Sequence, residues 1–233
     1  ILIGIAGFFA GVFLVLPLIL KNDMGLDSTE HWKVYMPVFI ASLLIMVPFI
    51  IVAEKKQAMK PVFIGAIISL MLATAIFMAS GQLWLTILAL VIFFAGFNLL
   101  EASLPSLISK TAPATQKGTA MGVYSSSQFF GAFAGGSLGG YAHQVLGSHG
   151  VFIVVLMVLL VWLSLAVTMK KPEYLTTYLM KVDGVSEQQL LAVEGVFEVT
   201  LIDEKDQPGT VAYLKVKKRI LDEEKLLSLA ASD

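Results

Sequence analysis

Over most of this chain apolar positions do not alternate with polar ones but gather into six long runs: Ile1 to Leu20, Trp32 to Ala53, Pro61 to Ser80, Leu83 to Ile108, Thr119 to Tyr141 and Val151 to Met169. Each is close to the roughly 20 residues a helix needs to cross a hydrocarbon core. Each is also longer than a signal-peptide h-region, and no small-residue cleavage site follows the first. The pattern predicts six membrane-crossing helices. After Pro172 the period changes to two. Tyr178, Met180 and Val182 share one side of a strand, Phe197, Val199 and Leu201 one side of a second, and Ala212, Leu214 and Val216 one side of a third. Ser186 and Gln189 have capping-box spacing and open a short helix that stops near Gly195. Asp206-Gln207-Pro208-Gly209 reads as the turn before the third strand, and Asp222 heads a last helix through Leu229. The expected organisation is a polytopic α-helical membrane domain, residues 1–171, followed by a small α+β domain of order βαββα, residues 172–233.

Composition agrees with the pattern: 57% of residues are hydrophobic and 14% charged, with a mean hydropathy of +0.83. The chain begins inside an apolar run without an initiator Met, which leads us to expect that an N-terminal part belongs to the same protein. The net charge of −1 hides an excess of lysines in residues 1–171 and an excess of acids after them. Lysines also divide the loops. Lys55, Lys56, Lys60, Lys110, Lys117, Lys170 and Lys171 fall on one side of the membrane, and only Lys21 and Lys33 on the other. The richer side is expected to be cytoplasmic, and with it the C-terminal domain. Trp32 and Trp84 open their runs on the opposite side, where amphipathic rings favour the interface. No run is basic enough to bind nucleic acid.

The chain has no Cys, which excludes thiolate metal sites, disulfides and thiol catalysis. HExxH and paired intramembrane Asp are absent as well, so catalysis, a resident metal and a cofactor are not expected. Candidate chemistry lies in the fourth and fifth runs. Glu101 is the only carboxylate inside a hydrocarbon-length segment, on the order of a dozen ångströms from Lys110 at about 1.5 Å per residue, too deep for comfortable snorkelling. An intramembrane carboxylate marks a functional site by default; a proton-binding or substrate-facing role stands against a buried glutamate bonded to another helix for packing. Asn98, Glu101 and Pro105 share a helical face. In the fifth run, Tyr124 and Gln128 either line a cavity or bond across an interface.

That run also places Gly118 and Gly122 at four-residue spacing, then Gly131, Gly135 and Gly139 on another face, a close-packing pattern suited to helices that slide or rock. Gly4, Gly7 and Gly11 form a similar stripe in the first run, and Pro37 and Pro48 can bend the second. The third run, with Ser69 and Thr74, reads as a lipid-facing helix. The loop from Glu54 to Lys60 reads as a positive cytoplasmic loop. Lys215 and Lys217, beside Tyr213, read as a solvated outer strand face.

The run Asn98-Leu99-Leu100-Glu101-Ala102-Ser103-Leu104-Pro105-Ser106-Leu107, followed by Lys117-Gly118 and the cluster from Gly131 to Gly140, resembles the tenth and eleventh helices of major facilitator superfamily transporters. The resemblance covers residues 1–171 and implies the C-terminal half of that fold, the first run being its seventh helix. It implies alternating-access movement of a small solute, with proton-coupled export as the expected mode. Asn98 and Glu101 would lie beside the pathway and the fifth-run glycines at a moving interface. The partners it implies are an N-terminal six-helix half, a small-molecule substrate, protons and membrane lipid, in a bacterial inner membrane. Glu54 to Lys60 falls where a weaker copy of the family's loop motif would stand, without that motif's glycines. The tail resembles the ferredoxin-like fold of heavy-metal-associated domains without its last strand. Its loop Val182-Asp183-Gly184-Val185-Ser186 holds no thiolate, so an interaction or regulatory role is expected instead of soft-metal binding. The alternative of another class is a membrane-anchored sensor or scaffold that transports nothing.

Overall fold

The computed structural model describes residues 14–79, 81–113, 116–169, 175–182, 185–203, 210–217 and 220–230. The chain forms two compact units, one from Ile1–Leu107 and Met121–Pro172, the other from Ile108–Ala120 and Glu173–Asp233. The helices are α1 (Leu16–Asn22), α2 (Trp32–Lys55), α3 (Met59–Ala79), α4 (Leu83–Thr111) and α5 (Lys117–Thr168). Among the described residues four helices are long and apolar enough to cross a membrane: Ser28–Lys55, which adds a one-turn 3-10 segment to α2, and α3, α4 and α5. α1 is the end of the first predicted run, whose Gly4, Gly7 and Gly11 lie outside the described residues. The fifth and sixth runs fall within α5. They are separated at Gly147, where φ 68° and ψ −174° form a combination essentially confined to glycine, so the helix axis breaks there.

The sequence reading of α3 as lipid-facing holds for one side only, where Ile68 and Leu72 are exposed, and is corrected for the other. Phe63, Ala66, Ile67, Leu70, Ala73 and Phe77 are all buried along it. Phe63 meets Trp162 edge-on at 5.7 Å and Phe77 stacks on Phe152 at 5.8 Å, so aromatic pairs join α3 to α5. A helix apolar on every side carries no stripe that tells lipid from protein, which is why its burial was not legible. Gly96 of α4 sets the approach to α3: a Cβ there would fall on Ser69 Oγ and 3.0 Å from the Ala66 carbonyl oxygen. Ser69 and Thr74 donate to Ala66 O and Leu70 O of their own helix.

The loops carry caps. Asp27 caps the 3-10 turn by accepting from the Thr29 amide (2.9 Å) and hydroxyl (2.7 Å). The hydroxyl bond and then the amide bond hold the Asp27 carboxyl below its usual range. This cap is therefore present at neutral pH and is lost as pH falls through that lowered value. Lys60 does more than make its loop positive. Its Nζ donates to Val167 O (2.7 Å) and Met169 O (2.5 Å), capping the carbonyl end of α5.

In the second unit, β1 (Thr176–Val182), α6 (Glu187–Leu191), β2 (Val196–Asp203), β3 (Thr210–Val216) and α7 (Glu223–Ala230) follow in the predicted βαββα order. The sheet is antiparallel, ordered β1-β3-β2. Its core gathers Met180, Val182, Leu190, Val193, Val199, Ala212, Leu214, Val216 and Leu226. Ser186 and Gln189 form the capping box, and Asp222 Oδ1 accepts from the Lys225 amide at 3.0 Å. The turn expected at Asp206 to Gly209 lies outside the described residues. Two expectations are corrected. A β-bulge between Val196 and Glu198 puts Val196, not Phe197, in the core, and Phe197 is 47% exposed. Lys217 sits over that ring at 5.9 Å. Lys215, read as solvated, is buried.

Candidate functional site

α4 and α5 bring three of the predicted residues together. The side-chain nitrogen of Gln128 donates to both oxygens of Glu101, at 2.9 and 3.1 Å, and to Tyr124 Oη at 3.0 Å. Tyr124 and Gln128 are one helical turn apart, so α5 presents both toward a single point on α4. The Glu101 carboxylate thus rests on an amide, with no Lys or Arg in ion-pair contact among the described residues. Glu101 and Gln128 are half-buried and Tyr124 is buried.

Asn98 is placed differently. Its Nδ2 donates at 3.0 Å to Ser42 Oγ on α2, and Ser42 in turn donates to Phe39 O at 2.7 Å. Three residues leave Asn98 and Glu101 about 60° apart around α4, so the face they share is divided between α2 and α5. α4 is therefore tied by polar bonds to α2 on one flank and to α5 on the other. Ser42, 0% exposed, was not singled out from the sequence. Its only signal is that it is the single hydroxyl between Pro37 and Pro48. An apolar cavity of about 520 Å³ opens between α2, α3 and α4, lined by Phe49, Val62, Ser69, Ile92 and Gly96 among others, and includes neither Glu101 nor Asn98.

The glycines fall into two sets. Gly131, Gly135 and Gly139 are buried within the first unit. Gly118 and Gly122 are exposed, and a Cβ on either would meet nothing within 4 Å. Phe129, Phe130 and Phe133 also point outward, Phe129 being 78% exposed. In hydrocarbon such a face needs lipid or another helix but no polar partner. Among the described residues no group of three His, Asp or Glu could hold a metal ion.

Comparison with known proteins adds a family match and several relatives. Residues 1–179 match the Major Facilitator Superfamily profile. The inner membrane transport protein YajR of Escherichia coli is 40% identical over 205 residues, covering 85% of this chain and 44% of that protein. Two uncharacterised transporters of Buchnera aphidicola are 32% and 30% identical over 138 and 152 residues, covering 55% and 64% of the chain. The chain spans less than half the length of each: 44%, 35% and 39%.

Proposed function

Since the chain belongs to the major facilitator superfamily, we propose that it is the C-terminal half of a proton-coupled exporter that moves a small solute by alternating access. It is a multi-pass inner-membrane protein carrying a small three-stranded antiparallel domain. In this reading six helices form the half, with the first and the two segments of α5 completing the count. The other half is a six-helix bundle covering the outward faces of α2 and α5. Pathways in such transporters lie at the interface of two pseudo-symmetric halves near the midplane. The observation that carries the reading is the Glu101 carboxylate, set within the membrane span and held by the neutral donor Gln128, with no Lys or Arg in ion-pair contact among the described residues. A carboxylate so placed can exchange a proton as its surroundings wet and dry, and a residue kept only for packing does not need to be ionisable. Tyr124 and Gln128 line the same route, and Asn98, bonded to Ser42, flanks it on the α2 side. The exposed Gly118 and Gly122 suit a close, moving contact with the other half. The strand order β1-β3-β2 with its two helices supports a ferredoxin-like tail lacking its last strand, with an interaction or regulatory role.

Two experiments test this reading. In proteoliposomes the full-length protein is expected to drive solute movement with a pH gradient, and the present chain alone to drive none. Equal flux by the isolated chain would contradict its assignment as a half. No flux by the full-length protein across a broad solute panel would favour the sensor or scaffold. Cysteines introduced singly at Lys56, Lys117 or Lys225, in a chain that has none of its own, are expected to resist an impermeant reagent in intact cells. Strong labelling at Lys225 would reverse the orientation.

A further inference from the structure

On a sheet packed on one face only, outward side chains of the middle strand meet water. Lys215 lies on β3, the middle strand, between Leu214 and Val216, which both belong to the core. Alternation therefore turns it to the other face, where a lysine ordinarily keeps its ammonium in solvent. Instead it is 5% exposed. Part of its cover is Ala112, from the segment Ile108–Ala120 that belongs to the same compact unit and links α4 to α5.

The contact is specific. Lys215 Nζ donates to Ala112 O at 2.6 Å and lies 3.1 Å from Glu198 Oε2, its cross-strand partner on β2. Ala112 is buried too. Its amide donates to Ile108 O at 2.9 Å, continuing the α4 ladder, and the next residue is Pro113, which has no N–H to extend it. Ala112 O thus lies just past the carbonyl end of α4, where the helical ladder stops. An ammonium there supplies a donor and complements the negative end of the helix dipole, while Glu198 compensates a charge that would be costly to bury alone.

We propose that Lys215 and Glu198 form a docking pin by which the small domain grips the C-terminal end of α4, so that the outer face of its sheet takes a helix terminus of the same chain as its partner. The gripped segment joins the helix that carries Glu101 to the helix that carries Gln128. The domain therefore restrains the junction between those two helices, and this holds whether or not the protein transports.

The test is hydrogen exchange on the full-length protein. Lys215→Met keeps the stem's length and removes the ammonium. It is expected to speed exchange at Lys110, Thr111 and Ala112 about tenfold, or about 1.4 kcal/mol, with Val199, Ala212 and Leu214 unchanged. Unchanged exchange at the α4 end would overturn the proposal. Should the variant lose protection across the whole small domain, the decision passes to the protein truncated after Pro172, which has no tail to misfold. The same acceleration is expected there, and an α4 end as protected as in wild type would overturn the pin.

Discussion

Glu101→Gln in the full-length protein is expected to fold, insert and yet fail to concentrate its solute against a gradient. Glutamine has nearly the shape of the acid and keeps an oxygen that can accept from Gln128, so the bond between α4 and α5 survives. What it lacks is a proton to gain or lose. A pH difference of one unit stores about 1.4 kcal/mol per proton, which supports about tenfold accumulation per coupled proton. The variant is expected at about onefold, with downhill exchange of solute remaining. The opposite result is equally clear: a Gln variant that concentrates solute with the pH dependence of wild type would make Glu101 a packing residue bonded to α5.

Gly195→Ala is expected to unfold the small domain or come close to it. Gly195 has φ 90°, and a Cβ there would lie 2.6 Å from Leu221 Cα, 2.7 Å from Leu221 N and 2.8 Å from Ile220 O. All three are backbone atoms, so no rotamer change relieves the clash. The same place is pinned by bonds from the Lys217 amide to Gly195 O (2.8 Å) and from the Asp222 amide to Glu194 O (3.1 Å). A left-handed backbone costs a residue with a Cβ about 1–2 kcal/mol, and overpacking adds about 1–3 kcal/mol. A domain of some sixty residues has only about 3–9 kcal/mol in all. Exchange protection at Leu214 and Val199 should fall by orders of magnitude while amides of α3 and of the middle of α4 hold. A variant within about 0.5 kcal/mol of wild type would show that the segment after β3 can move aside.

Much of this was legible in the sequence because the signals were local. The long apolar runs, the Ser186–Gln189 box, the Asp222 cap and the alternation of Ala212, Leu214 and Val216 each depend on neighbours within a few residues. Glu101 was legible by its rarity in hydrocarbon. Its bond to Gln128 was not, because the rotation of two helices about their axes is set by packing along their whole length. The bulge that expels Phe197 is fixed by pairing with β3, not by the local alternation. Most distant of all is the cover over Lys215, which comes from a residue 103 positions away. A lysine on a strand's outer face reads as solvated until the segment that buries it is known. The role of Lys60 was hidden in the same way, since its acceptors lie at the far end of α5.

The central claim is that Glu101 takes up and releases a proton within the folded transporter, and infrared difference spectroscopy across pH steps observes this without knowledge of the solute. The full-length wild-type protein in lipid is expected to show a carboxylic-acid carbonyl band that exchanges reversibly with a carboxylate band and is missing in Glu101→Gln. Identical wild-type and variant spectra at every step would mean that Glu101 never changes protonation, and the proposed coupling would be wrong.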